Sequence, residues 1–519
     1  MKNKIDFLIV IDWLVTPLME IGAEIALEKA SQKKEIVVLI IDDYLKSEGY
    51  NSRLPSFLSR YDIPKKLEKV IFSKNHKNIK LFRKKISQDI HQKLWPKEIL
   101  IAYNKIKRDE LKPINKILKN LYLNNINVGE GILSSIISLT KNKFPIFQKD
   151  KKSINEIFNL FVRRYKTYSD FFKGEIELKN VAIFNGRFAS SKAIESCINK
   201  YLPNTKLLYY ERSQNLYRYT LRTFRSHNRE EVFKEINKTW DKCKNKNEAS
   251  QIAKTFFKIR ISGHGTDWFP FSNGIHESQK TYNSKKLNNY FEHGENQIIS
   301  YFTSSEDEFE SLGDIWLDKR FKLSQKKLIE ELSRISIKKN IILIIRLHPN
   351  HKNSSDLTRS YWSNILNKLP IKNTLIIKDN ENISSYKIIK NSDLVIVYGS
   401  TIGIEALFLE KPVIITGSSF YFGTKAKIKP VFDISDLEKN IDNLLLDISP
   451  NNSYKKVLKE SSFPYGYWAY THGSKYKYFY PSTPTRGLLI NKDLQKLHRI
   501  LSKIKTYLKH LFFHGISNE

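Results

Sequence analysis

Asn391-Ser-Asp-Leu-Val-Ile-Val-Tyr-Gly-Ser-Thr-Ile-Gly-Ile-Glu-Ala-Leu-Phe-Leu-Glu-Lys-Pro-Val-Ile-Ile-Thr416 reads as strand, tight turn, helix and second strand without a break. Leu394 to Tyr398 are a short apolar run of buried-strand type, and Gly399 and Gly403 let backbone come close to a ligand. Ser400 and Thr401 are expected caps of the helix that carries Glu405. Amide hydrogens and the positive helix end would then face outward, which fits a phosphate. The competing account is an ordinary capped turn of an α/β domain.

Upstream, Ile341-Ile-Leu-Ile-Ile-Arg-Leu-His-Pro-Asn350 is an apolar strand ending in Arg346, His348 and Pro349. Alternation puts Arg346 and His348 on one side of the carboxyl end of that strand, the edge where open α/β sheets bind ligands. A lone His after a strand is an ordinary polar loop residue. Two such strand ends, one offering cation and imidazole and the other a hydroxyl-rich helix start, describe a nucleotide or diphosphate pocket.

These residues carry a resemblance. Phe184-Asn-Gly-Arg187, Tyr210-Glu-Arg212, Phe302-Thr-Ser-Ser-Glu-Asp-Glu-Phe309, Arg346-Leu-His-Pro-Asn350, Tyr398-Gly-Ser-Thr-Ile-Gly-Ile-Glu-Ala406 and Lys411-Pro-Val-Ile414 occur in that order. The chain so resembles the capsular-polysaccharide and lipopolysaccharide glycosyltransferases of the two-Rossmann-domain architecture called GT-B. The His-Pro pair and the later hydroxyl pair are similar to those of bacterial sialyl- and Kdo-transferases, whose imidazole contacts the donor phosphate; Ser400-Thr401 stands where Ser-Ser is typical. Glu405-Ala-Leu is similar to the segment of retaining GT-B enzymes whose Glu binds the donor ribose. Their acidic residue eight positions earlier is Val397 here, so a retaining outcome does not follow. The resemblance implies a nucleotide-sugar donor bound by Arg346, His348, Ser304, Ser305, Gly399, Ser400, Thr401 and Glu405, with a polysaccharide or lipid-linked glycan as acceptor.

Composition bounds the alternatives. The chain has 519 residues, 40% hydrophobic and 12% aromatic, enough for two domains with full cores and against disorder. Lys and Arg number 88 against 54 Asp and Glu, a formal charge of +34, which draws the protein toward something anionic. The basic residues are dispersed along the whole length, which argues for surface charge over a specific nucleic-acid module. Cys197 and Cys243 have no paired spacing and no Cys-His cluster, so neither a disulfide framework nor a zinc site is expected. No run reaches the roughly 18 apolar residues of a membrane-spanning helix. Met1 to Trp13, with Asp6 and Asp12 bracketing a short apolar run, reads as a first core strand and not a signal peptide. A cytoplasmic protein, peripheral to the inner face of the membrane, is the expectation.

The expected fold is α/β: two Rossmann-like domains facing a cleft, with a helical insertion and a C-terminal helix. Residues 1–265 form the first, acceptor domain, with strands at Phe7 to Ile11, Glu35 to Ile41, Val181 to Phe184 and Lys206 to Tyr210, a helix entered through Thr16-Pro17, and the insertion at about 54–173. Residues 266–296, rich in Gly, Asn, Ser and His, are the connection. Residues 297–450 form the donor domain, with strands at Gln297 to Thr303, Ile341 to Leu347, Thr374 to Ile377, Leu394 to Tyr398 and Val413 to Thr416. The tail, 451–519, holds an aromatic band from Phe463 to Tyr480 and a basic amphipathic helix around Leu497 to Phe512. The band either packs the tail back onto a domain or stacks on sugars or bases. The helix either docks on the protein or lies on a membrane surface.

Sugar transfer needs a base for the acceptor hydroxyl and positive groups for the leaving phosphate. There is no Walker loop, dinucleotide fingerprint or Asp-x-Asp motif; Glu306-Asp307-Glu308 reads as an acidic first helical turn capped by Ser304 or Ser305, so metal-independent catalysis without a cofactor is expected. Candidate bases are Asp12, after the first strand, and Glu130 in Val128-Gly-Glu-Gly131. Glu130 is preferred because glycines flank it and Glu-Gly is similar to the acidic-Gly motif of bacterial sialyltransferases; a capping or solvated carboxylate is the competing account. Asn185 and Arg187 follow a strand and should line the cleft, with a structural salt bridge as the alternative for Arg187. Two rivals remain: a polyol-phosphate transferase of the teichoic-acid type, and a nucleic-acid-binding protein using the charge and the aromatic band.

Overall fold

The computed structural model describes residues 3–13, 18–42, 77–86, 90–174, 176–215, 217–262, 291, 296–369, 373–381, 383–447, 452–483 and 486–489. The Thr16-Pro17 helix entry, nearly all of the 266–296 connection and the Leu497 to Phe512 helix lie outside them.

The first half runs β1 (Asn3–Ile11), α1 (Leu18–Ser31), β2 (Ile36–Asp42), β3 (Ile79–Lys85), α2 (Lys97–Arg108), α3 (Asn115–Lys119), the hairpin β4 (Tyr122–Leu123) and β5 (Ile126–Asn127), α4 (Val128–Thr140), α5 (Phe147–Phe172), β6 (Ile176–Phe184), α6 (Ala189–Tyr201), β7 (Lys206–Arg212) and β8 (Arg218–Arg222). α7 (Arg229–Asp241) and α8 (Lys246–Ser262) follow. The second half runs β9 (Ile298–Phe302), α9 (Glu306–Leu312), α10 (Gln325–Lys339), β10 (Ile342–Arg346), α11 (Asp356–Leu366), β11 (Thr374–Ile377), α12 (Ser385–Asn391), β12 (Leu394–Val397), α13 (Ile402–Phe408), β13 (Val413–Ile415) and β14 (Lys429–Pro430). It ends in α14 (Leu437–Asp447), α15 (Asn452–Ser461), α16 (Phe463–Thr471), β15 (Ser474–Lys475), β16 (Phe479–Thr483) and β17 (Arg486–Leu489).

Two large sheets result among the described residues, in the orders β15-β8-β7-β6-β1-β2-β3 and β11-β10-β9-β12-β13-β14, beside the two-stranded pairs β4-β5 and β16-β17. Each large sheet is doubly wound. β1 pairs in parallel with both β2 and β6, and β9 with both β10 and β12, so the chain steps outward from a central strand and then returns to its other side. The crevices at these reversals open at the carboxyl ends of the strands, between β1 and β6 and between β9 and β12, where an α/β sheet has room for a ligand. Alternation along β1 splits its side chains between two cores: Leu8 and Val10 pack with α2, α4 and α5, while Ile9 and Ile11 pack with α1. The two-Rossmann reading therefore holds.

Several elements differ from expectation. Ile79–Lys85 is a strand within the stretch expected to be helical, held parallel to β2 at the sheet edge. Its Lys and Arg residues suit an edge strand better than a core one. β8 was not anticipated because its run is short and three of its five residues are polar. α7 and α8, expected with the first domain, place Val232, Ile236, Phe256 and Phe257 in one core with Phe302, Ile344 and Val397 of the second sheet. The chain thus crosses before residue 229.

The aromatic band packs the tail back onto the protein. Tyr465 and Trp468 of α16 enter the second core, then β15 pairs antiparallel with β8 of the first sheet. Buried Glu24 of α1 fixes that return by accepting from the backbone amides of Lys477, Tyr478 and Phe479 at 2.6, 2.9 and 3.0 Å. Among the described residues the chain crosses the seam twice, and both crossings meet where Arg222 contacts Glu235 at 2.7 Å and His472 at 2.6 Å.

Candidate active site

The β6–α6 turn, Phe184-Asn-Gly-Arg187, is forced into an unusual path. Asn185 and Gly186 both have positive φ, 59° and 82°, and a Cβ on Gly186 would lie 2.5 Å from the Tyr209 ring. Only glycine fits there, and Asn is one of the few residues that tolerate the left-handed region. The turn delivers Arg187 to a narrow cleft lined by Glu130, Lys192 and Arg225 from the first sheet's side and by Ser311 to Gly313 and Ile315 from the second. Arg187 Nη1 reaches across to donate to Ser311 Oγ at 3.3 Å.

Glu130 sits in the first turn of α4, whose cap is Asn127, its side chain accepting from the Glu130 amide at 3.2 Å. The flanking glycines act otherwise than expected. They are buried, and they let α4 pack closely: a Cβ on Gly129 would lie 1.8 Å from the Leu118 carbonyl oxygen, and one on Gly131 2.3 Å from Lys192 Cγ. Glu130 is therefore rigidly placed, half-buried, at the cleft. The structure thus brings together Glu130, Asn185 and Arg187 of the expected residues.

Three contributors were missed by sequence reading: Lys192, Arg225 and His227. Beneath the cleft, buried Glu195 accepts from Lys192 Nζ at 3.0 Å, Arg225 Nη2 at 2.7 Å and Tyr209 OH at 3.1 Å. Burial pulls the Lys192 ammonium down to about 8, against the attraction of Glu195. Burial alone would raise Glu195, but the Lys192 and Arg225 charges hold its carboxyl below the usual range. Burial also holds His227 well below its ordinary value, leaving it neutral. The cleft is cationic on balance, which suits an anionic ligand. Lys192 shows only as one more helix position in the sequence, and Arg225 and His227 follow the unanticipated β8.

The acidic turn Glu306-Asp307-Glu308 faces the basic side of the first sheet's helices. Lys143 lies 3.1 Å from Glu306, and Lys119 2.6 Å from Glu310, so α9 ties the two halves together at the cleft. Among the described residues, no group of three or more His, Cys, Asp or Glu side chains could hold a metal ion.

The other expected residues gather at the second sheet's reversal. Ser304 and Ser305 follow β9 and are buried; Ser304 Oγ donates to Tyr398 O at 3.4 Å, which joins the β9 and β12 ends. Ser305 donates to Asp307 and makes no side-chain cap. Gly399 has φ of 102°, and a Cβ there would lie 2.1 Å from Ser418 O, so the turn is glycine-dependent. Ser400 Oγ accepts from the Ile402 amide at 3.3 Å, and Thr401 stands exposed at the start of α13 without capping it. His348 begins a 3-10 turn, its Nδ1 accepting from the Asn350 amide at 3.3 Å, which leaves Nε2 as the donor. Burial holds His348 down to about 4, so it is a neutral imidazole.

Three residues are engaged elsewhere. Arg346, expected at the donor pocket, is 3% exposed and donates to the carbonyls of Lys378 and Glu381. A guanidinium so used holds the loop after β11. Glu405 is 1% exposed and accepts from Arg260 Nε at 2.7 Å and Tyr386 OH at 2.8 Å. Asp12 lies buried at the first reversal, accepting from Tyr168 OH at 3.0 Å, and burial raises its carboxyl. It does not line the cleft that Glu130 lines.

Two doubly wound sheets, parallel but for β8 and β15 at one edge of the first, meet at their ligand-binding edges in the two-Rossmann-domain architecture of the GT-B type. Residues 315–424 match the model of a family described as capsule polysaccharide biosynthesis protein, and that segment contains both Arg346-Leu-His-Pro-Asn350 and the Gly399 turn, in agreement with the resemblance read from the motifs. Among solved structures, the chain is similar to Thermosulfurimonas dismutans KpsC, beta Kdo 2,4 transferase, at 13% identity and a TM-score of 0.33, over 56% of this chain and 81% of that one. It is similar also to KpsC, beta Kdo 2,7 transferase, of the same organism, at 15% identity and a TM-score of 0.30, over 59% and 85%. A third is the UDP-GlcNAc 2-epimerase from Neisseria meningitidis bound to UDP-GlcNAc, at 11% identity and a TM-score of 0.29, over 89% and 97%. No curated protein matches the chain.

Proposed function

We propose that the protein is a glycosyltransferase of capsule polysaccharide assembly, moving a sugar from a nucleotide-activated donor to a glycan acceptor. The observation that carries this reading is the convergence of Glu130 with Arg187, Lys192 and Arg225 in one cleft between the two sheets, facing Ser311 to Gly313 and Ile315. In the proposed step, Glu130 takes the proton of the acceptor hydroxyl as its oxygen bonds to the anomeric carbon. The bond from that carbon to the donor phosphate oxygen breaks, and the phosphate leaves with the electron pair. The negative charge is met by the His348 Nε2 hydrogen, the backbone around Gly399 to Thr401 and the cationic cleft. Donor phosphates would sit at the second sheet's reversal, and the acceptor beside Glu130.

A thermal-shift panel of nucleotides and nucleotide sugars tests this. A shift with nucleotide sugars is expected; a shift with cytidine-diphosphate polyols alone would favour polyol-phosphate transfer, and steeply salt-dependent binding of generic RNA with no nucleotide affinity would overturn enzymatic sugar transfer. His348→Ala should weaken the donor by about 1.5–3 kcal/mol, the loss of a hydrogen bond to a charged phosphate. Because His348 is held down to about 4, donor affinity should be flat from about pH 6 to 8 on its account. Affinity that falls as pH rises through that window would show that the imidazolium form binds instead.

Metal independence is part of the proposal, since fixed cations and neutral donors at the cleft can take the place of a divalent ion in neutralising the leaving phosphate. Turnover should persist in excess chelator. Complete loss that manganese or magnesium restores would contradict it.

A further inference from the structure

We infer that the outer face of α2, with the turns on either side of it, is a docking surface for an anionic lipid membrane. Residues 93–119 carry eight Lys or Arg against three Asp or Glu. α2 buries Ile99, Ala102, Tyr103 and Ile106 on one face, while Lys97, Ile101, Lys105 and Arg108 recur at helical spacing on the other and are exposed. Ile101, 58% exposed, therefore projects from the middle of a cationic helix face. Leu94 at one end and Leu111 at the other are each 65% exposed.

The strip continues to the seam. Pro113 bridges to Ile146, bringing the Leu111 segment beside Phe144, which is 52% exposed with Lys143 Nζ 5.0 Å from its ring centroid. Lys143 also pairs with Glu306, so this end of the strip reaches the α9 contact beside the cleft. A single exposed Leu needs no explanation. Four large exposed apolar side chains among these lysines are a different matter, because only a surface that is both anionic and apolar just beneath rewards both features. Lipid head groups attract the lysines, and the acyl boundary takes the Leu, Ile and Phe side chains. A nucleic acid would use the charge but leave Leu94 and Ile101 in water, and α2 presents no aromatic ring on its outer face for bases to stack on. Among the described residues no helix is long and apolar enough to cross a membrane, so the contact inferred is a surface one. It would bring a lipid-tethered acceptor to the Phe144 end, on the side where α9 borders the cleft.

The test is co-sedimentation of the full chain with vesicles of phosphatidylcholine containing phosphatidylglycerol, against pure phosphatidylcholine, with heparin binding measured in parallel. The wild-type chain should bind the anionic vesicles only. Leu94→Ser with Ile101→Ser should weaken vesicle binding by roughly tenfold and leave heparin binding unchanged, since insertion is lost but charge is kept. Lys97→Ala with Lys105→Ala should weaken vesicle binding by a similar factor. All four positions are exposed, so unchanged circular dichroism is expected and confirms that the fold is intact. No vesicle binding by the wild type, or binding equal in both double variants and the wild type, overturns the assignment. So does a Leu94→Ser/Ile101→Ser loss that is equal for heparin, which would mark a generic polyanion surface.

Discussion

Glu130→Gln is expected to keep donor affinity and to lower turnover by about 100-fold or more. The substituted amide retains the size and hydrogen bonding of the carboxyl but cannot accept a proton. Its position should not change, because the α4 start is fixed by the Asn127 cap and by Gly129 and Gly131, which hold the turn against Leu118 and Lys192. Any loss is then chemical and not conformational. Single-turnover kinetics with calorimetric donor binding separates the two. Asp12→Asn is the control: Asp12 is buried and bound by Tyr168, outside the cleft, so its substitution should act on stability before it acts on chemistry. If Asp12→Asn abolishes turnover in a stable protein while Glu130→Gln is silent, the base is misassigned and the architecture stands. If neither matters while Ser400 and Thr401 do, neither Asp12 nor Glu130 serves as the base.

The second large effect is on stability. Glu405→Ala should destabilise the fold by about 3–5 kcal/mol, because it leaves the Arg260 guanidinium, only 14% exposed, without its carboxylate. Burial and two strong partners make Glu405 a clamp between α8 and α13, the helix that follows the Gly399 turn. Arg260→Ala should cost a similar amount, and replacing both by Met should recover much of it, since the desolvation penalty disappears with the pair. Urea midpoints measure each variant. A Glu405→Ala protein of normal midpoint but weakened nucleotide affinity would restore the ribose contact that the resemblance implies and remove the clamp.

Much of the architecture is legible because the buried strands of a parallel sheet are written as continuous apolar runs. The expected Thr374 to Ile377 strand matches to the residue, and those of β9, β10, β12 and β13 match to within one residue at each end. The Glu130, Asn185 and Arg187 cleft is legible for a different reason: each lies beside a glycine that a close contact demands, Gly129 against the Leu118 carbonyl and Gly186 against the Tyr209 ring. An edge strand is harder to see, as β3 shows. Lys80, Arg83 and Lys84 are exposed there, and a strand that meets solvent at a sheet edge loses the apolar pattern that betrays a central one.

What the sequence determined by itself is local: which runs are strands, which turns need glycine, and that two strand ends carry groups fit for a phosphate. Those follow from side-chain pattern and backbone sterics within a few residues. Only the tertiary structure decided which polar groups stay available. Arg346 and Glu405 look like site residues at their strand and helix ends, yet the fold supplies Arg346 with two carbonyls and Glu405 with Arg260, whose position 145 residues earlier no local pattern reveals. Lys192 and Arg225 became cleft residues for the converse reason, since α6 and the crossing after β8 bring them together over buried Glu195. Partner choice among charged groups is set by long-range packing, because a buried charge must find its counterion wherever the chain places one.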